Sequence, residues 1–135
     1  MSEWTKQLGD VGEDFAANFL TSKGYEILDR NFRYGREAEV DIIAKQNDLI
    51  IFVEVKTRFN DKLGRPAEAV NYPKQQRIIL AATKYLQDNY NFDTTPCRFD
   101  VIEILANDKM NSRSWKLNHI ENAFEVNQRH KKIYF

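Results

Sequence analysis

Apolar residues recur along this chain at two different spacings, and the switches between them mark out its elements. Leu8, Val11, Phe15 and Phe19 fall at i, i+3, i+7 and i+11, one stripe of a helix over about 8–23, with Gly24 where a C-terminal cap belongs. Tyr25 to Tyr34 mixes aromatic and aliphatic residues with polar ones and reads as a strand. Ala38 to Lys45 and Leu49 to Thr57 are two more strands, separated by the turn Gln46-Asn47-Asp48. Gly64, Pro66, Asn71 and Pro73 then give the stretch after Arg58 the character of a loop. Helical spacing returns at Ile78, Ile79, Ala82, Tyr85 and Leu86, with Pro73 at the start of a helix over about 74–89. Arg98 to Leu105 is a fourth strand, and a polar turn over 107–112 leads to an edge strand at Trp115 to Ile120. The order αβββαβ, closed by a short fifth strand, predicts an α/β fold: a mixed sheet flanked by helices. The connection through the second helix is long enough for a right-handed crossover between parallel strands.

Composition narrows the function more than the fold. A chain of 135 residues with 42% hydrophobic and 13% aromatic residues suits one globular domain spanning 1–135. The N-terminus lacks the apolar segment of a signal peptide, and no apolar run approaches the roughly 18 residues that cross a bilayer. The expectation is a soluble, cytoplasmic protein without a membrane partner. The single cysteine, Cys97, has no intramolecular disulfide partner and is expected in the core. His119 and His130 lack ligand spacing and are expected at the surface. Twenty basic residues balance twenty acidic ones, so any nucleic-acid contact must come from a local patch rather than the charge of the whole molecule.

The charges that need explaining lie on apolar strands. Alternation puts Ile50, Phe52, Glu54 and Lys56 on one face of the third strand, and Leu49, Ile51, Val53 and Val55 on the other. Glu54 and Lys56 are then roughly 6–7 Å apart along the strand. On the second strand, Val40 and Ile42 are expected to point one way and Glu39, Asp41 and Ile43 the other. Pairing through the 46–48 turn lets Asp41 approach Glu54. Two converging carboxylates require that one take a proton or that a cation sit between them. Magnesium fits, because it prefers oxygen ligands and is held by only one or two carboxylates, with water completing its shell. Lys56 could then position the attacking water and stabilise charge developing on a phosphate. Glu-x-Lys alone also describes an exposed ion pair worth under about 1 kcal/mol.

Asp41 followed by Glu54-Val55-Lys56 resembles the PD-(D/E)xK motif of restriction-endonuclease-like nucleases. Gly9-Asp10-Val11-Gly12-Glu13, Gly24-Tyr25-Glu26-Ile27-Leu28, Asn31-Phe32-Arg33, Glu39-Val40-Asp41-Ile42-Ile43, Phe52-Val53-Glu54-Val55-Lys56-Thr57-Arg58 and Arg98-Phe99-Asp100-Val101 more specifically resemble the YraN family of predicted endonucleases, related to archaeal Holliday-junction resolvases. The likeness runs from about Gly9 to Ile104. It implies a restriction-endonuclease-like core, magnesium or alternatively manganese as cofactor, and DNA, including branched DNA, as substrate. It also implies that Glu13 joins Asp41 and Glu54 at the metal, with Lys56 completing the catalytic set; without it, Glu13 reads as a favourable acid in a first helical turn. Ala38 stands where the family usually has Gly, which puts a positive φ at that position in doubt.

Arg58, Lys74 and Arg77, with Lys62 and Arg65, are candidates for phosphate contacts, the alternative being a solvated surface. A resolvase-like enzyme would be expected to form a homodimer, through the edge near Trp115 or the C-terminal Ile133-Tyr134-Phe135. Two other classes stay open: a binding module that keeps the fold without the chemistry, and a structural protein whose buried charges form an ion pair.

Overall fold

The computed structural model describes residues 3–58, 70–108 and 110–126, with side chains from Gly9 onward. Its elements are α1 (Glu3–Ser22), β1 (Glu26–Tyr34), β2 (Ala38–Gln46), β3 (Leu49–Arg58), α2 (Tyr72–Asn89), β4 (Cys97–Leu105), a 3-10 turn at Ser112–Ser114 and β5 (Lys116–Phe124). The five strands lie in sequence order in one sheet. β1, β2 and β3 form an antiparallel meander, β4 runs parallel to β3, and β5 returns antiparallel to β4. This is the expected mixed sheet, and it is consistent with a restriction-endonuclease-like core.

Local chemistry places the boundaries. Gly24 takes φ +90° and lets the Tyr25 N–H return to the Leu20 carbonyl at 3.0 Å, closing α1. Asn47, at φ 55°, turns β2 into β3. Asn71 caps α2 by accepting from the Lys74 N–H at 3.0 Å, with Pro73 in the first turn. Ala38 sits inside β2 opposite Tyr34, and the positive φ of the β1–β2 turn belongs to Gly35 instead.

Each face of the sheet carries a core. α2 covers one through Ile78, Ile79, Ala82 and Leu86, packed on Val40, Ile43, Ile50, Phe52, Phe99 and Val101. Phe52, Phe99 and Phe124 stack in a row across three strands, at 5.6 and 5.1 Å between centroids, and Tyr85 stands edge-on to Phe52 and Phe32. α1 covers the other face through Ala16, Ala17 and Leu20, against Ile42, Ala44, Ile51, Val53, Ile102 and Ile104.

The buried stripe of α1 is rotated from the one its large apolar residues suggest. Val11 is 47% exposed, whereas Gly12, Glu13, Ala16, Ala17 and Leu20 face the sheet. Small residues win because they let the helix backbone approach β3. A Cβ at Gly12 would collide with the Thr57 hydroxyl, and rotating that side chain gives only partial relief, because Thr57 Cβ at 3.1 Å still has to draw back by a few tenths of an ångström. Gly12→Ala is therefore expected to lower stability by about 1–3 kcal/mol, through overpacking. A denaturant midpoint equal to wild type would show that α1 shifts freely.

Three other expectations change. Cys97 is exposed, being the first residue of β4 at the sheet's end rather than part of its middle. His119 is largely buried and paired with Asp100. Trp115 stands just before the outermost strand β5 rather than within it, and is buried against Phe15 with its indole N–H bonded to the Asp108 carbonyl at 2.8 Å. His130 and the C-terminal Ile133-Tyr134-Phe135 lie outside the described residues. Among the described residues, no helix is long and apolar enough to cross a membrane.

Candidate functional site

Pairing between β2 and β3 runs from Gln46↔Leu49 to Ile42↔Val53 and stops there. Beyond that point the chain departs from strict alternation. Val40 packs in the α2-side core and Ile42 in the α1-side core, so the two residues expected on one face lie on opposite faces. The change falls at Asp41. Its Oδ2 accepts the Val55 N–H at 2.8 Å, so a side chain takes the place of a ladder bond where the strands part.

Glu54, 4% exposed, continues the face of Ile50 and Phe52, and its carboxyl lies within hydrogen-bonding reach of Asp41. Burial, the shared contact with Glu54 and repulsion between the two groups push the Asp41 carboxyl up to about 8, against a smaller opposing pull from the Val55 N–H and Lys74. At neutral pH the pair therefore keeps a proton. Lys74 reaches down from the first turn of α2 and places Nζ 3.0 Å from Glu54 Oε2.

Glu13 comes from the opposite helix and is also buried. Burial and the nearby Asp41 raise its carboxyl, while Arg30 and Asn31 work the other way. Its Oε1 accepts from Arg30 Nε at 3.2 Å, Arg30 Nη2 at 3.1 Å and Asn31 Nδ2 at 2.9 Å. Neighbouring strand residues ordinarily point to opposite faces. Asn31 has φ 55°, and this turn of the backbone brings both side chains to Glu13. The structure thus joins Asp41 to Glu54, with Glu13 near Asp41 but held by β1. Among the described residues, no group of three or more Asp, Glu, His or Cys side chains converges tightly enough to hold a metal ion.

The basic candidates divide. Lys56 is exposed two residues beyond Glu54 and forms no ion pair among the described residues. Arg58 lies against Glu103, Nε to Oε2 at 3.1 Å, and its side chain is largely buried. Lys74 belongs to the carboxylate pair rather than to a separate surface patch. Arg77 is exposed beside a groove of about 300 Å³ with Pro73, Gln76, Leu80 and Glu37. Lys62 and Arg65 lie outside the described residues.

Residues 12–104 match the sequence profile described as uncharacterised protein family UPF0102. The chain belongs to the UPF0102 family. Similar UPF0102 proteins include one from Clostridioides difficile strain 630, 49% identical over 88% of this chain and 97% of its own length. Another, from Chlorobium phaeobacteroides strain BS1, is 49% identical over 92% and 98% of the respective chains. A third, from Clostridium acetobutylicum, is 47% identical over 93% of this chain and its own full length. UPF0102 is the YraN family to which the sequence motifs point.

The span matched to UPF0102 holds Glu13, Asp41, Glu54, Lys56, Arg58, Lys74 and Arg77, together with two residues that sequence reasoning passes over as site residues, Arg30 and Asn31. An asparagine inside an otherwise regular strand is the available signal for the second. The span also contains Arg98 and Asp100, the centre of a separate buried network. Arg98 grips Asp100 with two bonds of 2.8 Å, His119 Nε2 stands 2.7 Å from Oδ2, and the Asn122 N–H donates to Oδ1 at 2.9 Å. Burial pushes the Asp100 carboxyl up, but its bonds to His119, Arg98 and Asn122 outweigh this and hold it below the usual carboxylate range. Asp100 lies beside Val53 rather than Glu54 and forms no part of the carboxylate pair.

Proposed function

We propose that this UPF0102 chain is a divalent-metal-dependent nuclease that hydrolyses phosphodiester bonds of DNA, branched DNA included. The observation that carries the proposal is the buried, converging Asp41–Glu54 pair, whose repulsion and burial hold the Asp41 carboxyl high even with Lys74 beside it, so that full ionisation calls for a further cation. Its oxygen donors suit magnesium or manganese, and two carboxylates are enough for an ion that keeps most of its water. Bound there, the metal supplies a Lewis acid and an acidified water.

The remaining roles belong to the chain's own side chains. Asp41 is fixed by the Val55 N–H, so its free oxygen has a set direction. Glu54 is fixed in the α2-side core wall. Exposed Lys56 orients a water and meets the charge gathering on a phosphate. Glu13, anchored by Arg30 and Asn31, adds negative potential behind Asp41 and stabilises a cation in front of it.

The alternative class is a binding module that keeps this fold without chemistry, in which the Lys74 ammonium, 3.0 Å from Glu54 Oε2, already serves as the pair's cation. Cleavage of a labelled four-way junction, a linear duplex and a single strand, with magnesium, manganese or EDTA, separates the two. Wild type is expected to cut in either metal and not in EDTA, and folded Glu54→Ala to fall to background. Salt-dependent binding without turnover in any metal would establish the binding module.

A further inference from the structure

The ammonium that neutralises the carboxylate pair comes from α2, not from the Glu-x-Lys lysine on the same strand. Lys74 Nζ lies 3.0 Å from Glu54 Oε2, while Lys56 has no ion-pair partner among the described residues. Lys74 stands where a cation is otherwise disfavoured, because the first turn of a helix carries partial positive charge. The attraction of Glu54 has to offset that repulsion. The two partners also differ in freedom. The Glu54 side chain is 5% exposed and fixed in the sheet, whereas that of Lys74 is 38% exposed on a flexible stem. The Lys74 backbone is held separately, by the Asn71 cap, so its side chain can leave without disturbing the helix.

We propose that Lys74 is a resident counter-ion of the Asp41–Glu54 pair, displaced from Glu54 when a divalent cation binds and thereby freed to contact a nucleic-acid phosphate. This rests on the metal-dependent reading above and adds a coupling to it. The cation and the ammonium compete for Glu54 Oε2, so the substrate-facing charge of α2 increases only once the metal is in place. Arg77, exposed one turn further along α2, continues the same basic edge.

The test is calorimetric titration of manganese into wild type, Lys74→Met and Lys74→Arg at pH 8, without nucleic acid, beside Asp41→Asn. Removing the competing charge is expected to tighten manganese binding about fivefold to tenfold in Lys74→Met, the scale of one partly buried charge pair. Lys74→Arg, with its permanent charge and forked donors, is expected to weaken binding. Equal or weaker binding by folded Lys74→Met, with wild type binding and Asp41→Asn not, overturns the counter-ion role and leaves the metal site standing. No binding by wild type and both Lys74 variants overturns both. A second readout is duplex binding in calcium, where the slope of log K against log salt is expected to steepen by about one relative to EDTA in wild type. In Lys74→Met the two slopes are expected to coincide. An unchanged wild-type slope would overturn the release of the ammonium.

Discussion

Asp100→Ala is expected to lower the stability of the folded chain by about 3–5 kcal/mol, the cost of removing one partner from a buried ion pair and stranding the other. The carboxylate is fully enclosed, and its oxygens engage Arg98, His119 and the Asn122 N–H. Without it, an 18%-exposed Arg98 side chain keeps only the Tyr25 hydroxyl at 3.2 Å and Glu121 at 3.7 Å. The network ties the start of β4 to the end of β5 and to Tyr25 beside β1, so its loss loosens three segments together. Thermal unfolding should fall by roughly 10–20 °C for a domain of this size. Adding Arg98→Ala to Asp100→Ala should cost little more, because the first change has already broken the pair. Losses that simply add, or a single-mutant loss below about 1 kcal/mol, would show that the groups act independently.

The same physical signal underlies Asp100 and Glu54, a charge within an apolar strand, and only one of them reads as a site in the sequence. Glu54 has Asp41 within a hairpin's reach, so alternation and a short turn are enough to bring the carboxylates together. Asp100 draws on Arg98 two residues before it and His119 nineteen residues later, a pairing visible only once β5 is laid against β4. Regular periodicity marks the meander, α2 and the parallel fourth strand. It fails where close approach governs packing: α1 turns toward the sheet with Gly12, Ala16 and Ala17, and its large Val11 is left outside. It fails again at the kink, because alternation assumes an unbroken strand, whereas Asp41 and the left-handed Asn31 break it in adjacent strands. That break sends Val40 and Ile42 to opposite cores. It also opens the gap that Asp41 occupies, and gives Glu13 the partners Arg30 and Asn31, which the helical pattern does not disclose.

The carboxylate pair should also leave a mark on the metal-free protein. The folded chain retains an Asp41 proton up to about pH 8, whereas the unfolded chain releases it near the ordinary value of 3.8. Between those values the native state binds the additional proton, so this contribution to stability is present at low pH and is lost as pH rises through about 8. In EDTA, stability is expected to fall by about 1.4 kcal/mol between pH 7 and pH 9, or about 4 °C in melting temperature. Asp41→Asn keeps a neutral group able to donate to Glu54, and should remove that decline. It should melt above wild type at pH 9 and lose any nuclease activity, an opposition of stability and function expected where like charges are gathered for a reaction. The same proton competes with a metal, so divalent binding by wild type should weaken about a hundredfold from pH 9 to pH 6. Melting curves of both proteins across pH 6–9, with and without magnesium, measure each of these effects. A wild-type curve in EDTA that parallels Asp41→Asn would mean that the pair holds no extra proton and has no need of a cation.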